Sequence, residues 1–281
     1  MRGFYLFGIL IKFVFTQHKT MKPFAFKSYS NGDIKIRYSE SISDDEYMKT
    51  AYSFLNKLMK EVARLTMKCF RPDIEADNLP YMHTEIRWDS VVLPALSKIC
   101  DGLVLTELPV DRKESKTDEN VRRGRIDYWC VYGGYSFVIE MKGSRALFMG
   151  NRVIARESSV IERWNTMIGQ LNDVKEICHD MDEHTRGVIR LGFHFISSVA
   201  YVKPTEEIIR DYRRGIYNRL NDISTDIAKR HGNKADYTPS YAAAWLIPDD
   251  MITYWENWEE AYPGVMLFAK VFKDIKHKNH I

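Results

Sequence analysis

Two carboxylates and an ammonium, Asp127, Glu140 and Lys142, lie in the run RIDYWCVY-GG-YSFVIEMK at spacings that could serve phosphodiester hydrolysis. Gly133-Gly134 suits the positive φ angles of a two-residue hairpin turn, and such a turn fixes the register of both arms. Tyr132 then faces Tyr135, and every facing pair has numbers summing to 267, Asp127 and Glu140 included. Facing side chains hold their Cβ atoms about 4.5–5.5 Å apart, and like charges there destabilise a sheet. Phe137-Val138-Ile139 ahead of Glu140 reads as a strand buried on both faces, which makes unpaired charge costlier. A divalent cation between the acids resolves the conflict. Mg²⁺ takes one or two carboxylates and completes its shell with water and phosphate oxygens. Lys142, two residues beyond Glu140, shares its face. Its ammonium can orient or help deprotonate an attacking water and stabilise charge building on a phosphate. Without a cation the same residues read as a salt-bridged hairpin, with Arg125 and Lys142 neutralising Asp127 and Glu140.

The elements that must position these groups follow from hydrophobic periodicity. Residues 34–38 (IKIRY) alternate as a short strand. Ser43-Asp44-Asp45-Glu46 has the form of a capping box, and Met48, Ala51, Leu55, Leu58, Val62 and Leu65 predict a long helix over 44–69. A second helix is expected over 82–100, stopped by Gly102, then a strand over 103–108 and a polar loop over 111–123. Past the hairpin the pattern predicts a helix over 158–180, a strand over 193–202 and a helix over 205–230. Late strands are expected over 241–247 and 265–272.

This order, with Asp127 on one strand and Glu140-Met141-Lys142 on the next, resembles the PD-(D/E)XK nuclease superfamily. The resemblance covers about 82–202 and departs at Ile126, where the family name has proline, a position often degenerate. It implies an α/β fold: a restriction-endonuclease-like α-β-β-β-α-β core with a mixed central sheet flanked by helices. The core would span 81–204, with an N-terminal helical extension over 1–80 and a C-terminal α/β elaboration over 205–281. The resemblance further implies a cytoplasmic, Mg²⁺-dependent nuclease cutting DNA, with Mn²⁺ substituting, of restriction, defence or mobile-element type. Asp127 and Glu140 would hold the metal and Lys142 the water. Many members add a metal-binding Glu from the first core helix; Glu85 is the candidate here and Glu107 its rival. A Gln on the helix after the lysine strand often lies near the site, which points to Gln170.

Charge and composition bound the alternatives. Hydrophobic content of 45% with 28% charged residues is ordinary for a globular protein, so disorder is not the default. A net charge of only +3 leaves nucleic-acid binding to local clusters, of which Arg122, Arg123 and Arg125 lead into the Asp127 strand. Arg210, Arg213, Arg214 and Arg219 are expected on the solvated side of their helix. Asp101 and Glu114-Ser115-Lys116 repeat the motif's spacing in a polar setting and should be a solvated charge run. The four cysteines include no C-x-x-C pair, so they read as reduced thiols and not a zinc site. The apolar stretch 4–15 is too short to span a bilayer, so residues 1–20 are expected to be an upstream extension or added strand, with no membrane anchor. A homodimer or a partner protein is compatible with the sequence. The aromatic, acidic segment 249–262, with Trp255, Trp258 and Tyr262, suits core packing or a protein interface better than DNA. The alternative function is therefore a non-cleaving nucleic-acid-binding or interaction subunit.

Overall fold

In the computed structural model of the chain the described residues are 25–29, 32–38, 45–69, 79–82, 85–113, 121–149, 152–154, 157–176, 185–201, 203–232, 234–252, 254–255 and 259–272. Residues 1–24, Glu114, Lys116, Cys178 and Trp258, on which several expectations fall, lie outside them. The elements in chain order are β1 (Ala25–Tyr29), β2 (Gly32–Tyr38), α1 (Glu46–Lys68), α2 (Glu85–Ile99), β3 (Leu105–Lys113), β4 (Val121–Tyr132), β5 (Tyr135–Met149) and β6 (Arg152–Ile154). There follow α3 (Glu157–Asp173), β7 (Val174–Glu176), β8 (Val188–Ala200), α4 (Glu206–Arg230), β9 (Tyr241–Leu246), β10 (Tyr254–Trp255) and β11 (Glu260–Phe272).

All the strands join one mixed sheet, ordered β1-β2-β9-β11-β8-β5-β4-β3-β7, with β10 on β11 and β6 on β5. Strands β3, β4 and β5 form an antiparallel meander, and α3 then returns the chain to β8, which runs parallel to β5. Strand parity separates the two larger cores, and a smaller third cluster joins Val110, Ile126 and Val138 toward the β3 edge. Phe137, Ile139 and Met141 of β5 and Leu191, Phe193 and Phe195 of β8 pack under α1 and α2. Ala146 of β5 and Ile196 and Ala200 of β8 pack under α3 and α4. Such strict alternation is what a sheet covered on both faces requires. Glu140, Lys142 and His194 have the second parity, so they stand on the α3 side.

β8 begins at Val188 and β11 at Glu260, ahead of the expected 193 and 265, and other boundaries differ for local reasons. The segment 111–123 is not wholly loop: β3 continues to Lys113 and β4 begins at Val121. Helix α3 stops at Asp173, where Val174 turns to pair on β3, short of the expected 180. The N-cap of α1 is Asp45, whose side chain makes no capping bond. At α4 the cap is made: Thr205 accepts from Ile208 N. No helix among the described residues is long and apolar enough to cross a membrane.

Candidate active site

The hairpin keeps its expected register from Tyr132–Tyr135 to Tyr128–Ile139. Gly133 and Gly134 take φ of 60° and 79°, and Asp101 braces the turn, accepting from Gly133 N at 2.7 Å. The ladder ends one rung before the acids, so Asp127 and Glu140 are not laddered partners as expected. In the alternating antiparallel pattern Met141 N–H would donate to the Ile126 carbonyl. It donates instead to Asp127 Oδ2, at 2.6 Å. On the other side of β4 the register passes from Thr106–Tyr128 to Leu108–Ile126 and omits the rung between. Glu107 stands at that omitted rung with φ of 54°. Asp127 is thus released from the ladder on both sides, and its carboxylate substitutes for a main-chain acceptor.

Beyond Ile139 the β4 edge of β5 is open, and the acids gather there around Lys142. The ammonium Nζ lies 2.9 Å from Glu140 Oε1, 3.2 Å from Glu85 Oε1 and 3.9 Å from Asp127 Oδ2. It also donates to the Met141 carbonyl at 2.8 Å. Glu85 reaches this point from the first turn of α2 because Gly143 lets that turn approach. A Cβ at 143 would meet Glu85 N and Cα and Trp88 at 3.1 Å. Two arginines complete the cluster. Arg163 of α3 pairs with Glu85 Oε2 at 3.2 Å, and Arg112 of β3 with Glu140 Oε2 at 3.3 Å. Arg112 passes over Gly124, where any Cβ would collide with its guanidinium arm, and also donates to the Arg125 and Gln170 carbonyls.

Three acids therefore face three cations on a largely buried floor: Glu140 and Lys142 side chains are 2% and 10% exposed. Burial, and then the Glu140 charge, push the Asp127 pKa up to about 7 against the pull of Lys142 and the Met141 amide. For Lys142 burial pulls the pKa down, but Glu140, Asp127 and Glu85 outweigh it, and the net direction is upward. The lysine is a held ammonium rather than a poised base. His194, its ladder partner on β8, is driven down to about 3 by burial and by the charges of Arg163 and Lys142.

Of the expected residues, the structure brings together Asp127, Glu140, Lys142 and Glu85. Gln170 contributes its carbonyl to Arg112, while its side-chain Oε1 is buried without a partner. Glu107, the rival to Glu85, points away to Arg125 at 3.6 Å, both being exposed. Arg125 is thus not the cation that neutralises the acids; Arg112 and Arg163 share that task with Lys142. Arg123 and Arg125 are exposed on the strand that carries Asp127, and Arg122 is described in its backbone alone. Arg219, expected on a solvated face, is fully buried against the Tyr212 ring, 4.6 Å from its centroid. Tyr262 is core, donating to Glu260 at 2.5 Å. Arg112 lies in the segment expected to be a polar loop; the signal for it is that Leu108, Val110 and Arg112 continue the two-residue alternation of the preceding strand.

Among the described residues no three acidic, His or Cys side chains close around one point tightly enough to hold a metal as they stand. The donor set nonetheless fits Mg²⁺ in chemistry: hard carboxylate oxygens from three elements already converge on one cation, the ammonium. No protein-family model, curated protein or solved structure matches the chain.

Proposed function

We propose that this protein is a Mg²⁺-dependent deoxyribonuclease, an endonuclease on a restriction-endonuclease-like core. The observation that carries the reading is the convergence of Glu85, Asp127 and Glu140, from α2, β4 and β5, on the Lys142 ammonium. Three acids and a lysine on a buried floor are costly to stability and useful to phosphoryl chemistry. The longer elements follow the order α2-β3-β4-β5-α3-β8, with the three-residue strands β6 and β7 on either side of α3 and a parallel β5–β8 pair, which supports the α-β-β-β-α-β core that the motif's resemblance implies.

In this reading Asp127 and Glu140 hold Mg²⁺, with Mn²⁺ substituting, and Glu85 assists. The metal supplies Lewis acidity and a more acidic bound water. Lys142 orients the attacking water and stabilises charge on the phosphate as an ammonium. Arg123 and Arg125, joined by Arg122 in sequence, contact the DNA backbone at the mouth of the site. Double-strand cutting would need two sites, for which a cytoplasmic homodimer is the simplest arrangement.

Supercoiled and linear plasmid, incubated with Mg²⁺, Mn²⁺ or EDTA, test the proposal against a Lys142→Ala variant whose folding is checked by circular dichroism. Metal-dependent nicking of the circle that vanishes in the variant is expected. The second reading, a binding subunit that does not cut, is favoured by the neutralisation of the acids by Lys142, Arg112 and Arg163. DNA affinity without cleavage in any metal would select it.

A further inference from the structure

His194 stands directly beside Lys142 on the parallel ladder of β5 and β8, and both face α3. It is fully buried, with hydrogen bonds to neither Nδ1 nor Nε2. Other buried polar atoms on this side of the sheet also lack partners, among them Gln170 Oε1 on α3 and Ser144 Oγ, two residues along β5 from Lys142. Unmatched groups of this kind are rare in a folded interior and call for an explanation. Lys142 meanwhile spends its N–H groups on Glu140, Glu85 and the Met141 carbonyl.

Donor and acceptor counting joins these observations. A neutral imidazole has one donor and one acceptor nitrogen, and an amide oxygen needs a donor. A divalent cation that draws Glu140 and Glu85 toward itself frees ammonium N–H groups beside a ring whose acceptor is unmatched. We propose that His194 is a positioning residue for Lys142, accepting from the ammonium with one ring nitrogen and donating to Gln170 Oε1 with the other when the acids turn to a cation. This inference rests on the metal-dependent reading above. The depressed basicity of His194, caused by burial and by Arg163 and Lys142, keeps the lone pair that the role requires.

The test uses the full chain with His194→Leu, His194→Asn and Gln170→Leu, and reads trace acetylation of Lys142 by mass spectrometry with and without Mg²⁺. Without Mg²⁺ all four proteins should label alike, because the acids hold the ammonium. With Mg²⁺, His194→Leu should label faster at Lys142 and lose about tenfold in kcat at unchanged KM. His194→Asn, which keeps both a donor and an acceptor, should return toward wild type. Gln170→Leu breaks the far end and should shift Lys142 labelling in the same direction, which keeps the test available if His194→Leu does not fold. Calorimetric titration of wild type with Mg²⁺ separates the two ways to fail. No Mg²⁺ binding overturns the metal reading and this inference with it; binding with Lys142 labelling indifferent to residue 194 overturns this inference alone.

Discussion

The two halves of the β4–β5 hairpin obey different rules. From the Gly133-Gly134 turn to Tyr128 and Ile139 every residue meets its register partner, and Cys130, Phe137 and Ile139 are sealed in the core. Beyond that rung side chains take over from the main chain. Asp127 accepts the Met141 amide, Arg112 donates to the Arg125 carbonyl, and Lys142 donates to the Met141 carbonyl. The first half is apolar and closed, the second charged and open. A buried strand keeps its charges where the ladder has been given up, because only there can several elements deliver counter-charges to the same point.

The sharpest way to break this comparison is to remove the central cation. Taking one partner from a buried ion pair costs about 3–5 kcal/mol, since the other charge is left uncompensated. Lys142→Met should lower the denaturant midpoint accordingly, and Lys142→Met/Glu140→Gln should recover most of the loss. Both should lack Mg²⁺-dependent cleavage. A Lys142→Met protein as stable as wild type would mean that water screens the open half and that it is no buried network.

Titration offers a gentler probe. The folded-state pKa of Asp127 is raised to about 7 by burial and Glu140, above its unfolded value of about 3.9. The stability that this group contributes is therefore fully present below about pH 4 and is lost as pH rises through about 7. Metal-free protein should unfold at lower denaturant at pH 8 than at pH 5, by a few kcal/mol at most. Asp127→Asn should flatten the profile. A wild-type profile already flat over that range would place Asp127 in a water-like setting and remove the electrostatic basis of the open half.

How far the sequence foretold this arrangement divides along the same line. Turn chemistry, register and the apolar run made the closed half legible, and parity placed Lys142 beside Glu140. The open half was legible in its acids but not in its counter-charges. Arg112 comes from a strand read as loop, because Asp111, Arg112 and Lys113 look like solvent-facing charges unless the alternation from Leu108 is carried through them. Gly124 and Gly143 give no signal in one dimension, since each matters for what crosses it: the Arg112 arm and the first turn of α2. His194 likewise carries no one-dimensional signal, because one polar residue in a buried strand gains meaning only from its neighbour across the sheet.

Those glycines permit a smaller break. Gly143→Ala puts a methyl 3.1 Å from Glu85 N and Cα, and overpacking at such a site costs about 1–3 kcal/mol. Displacement of Glu85 should weaken Mg²⁺ binding as well, which calorimetry would detect. Stability lost with metal affinity intact would remove Glu85 from the ligand set.

The least change comes from the closed half. Asp101→Ala removes the acceptor for Gly133 N, a bond between exposed groups at 2.7 Å. A hydrogen bond to a charged group contributes about 1.5–3 kcal/mol, and exposure places this one at or below the lower figure. The Gly-Gly turn keeps its register without the brace, since the positive φ angles belong to the glycines themselves. Asp101→Ala should therefore lower the melting temperature slightly and leave metal-dependent cleavage at the wild-type rate. A cleavage defect at constant fold would show that strain at the turn reaches Asp127 along β4, and the two halves of the hairpin would then be one mechanical unit.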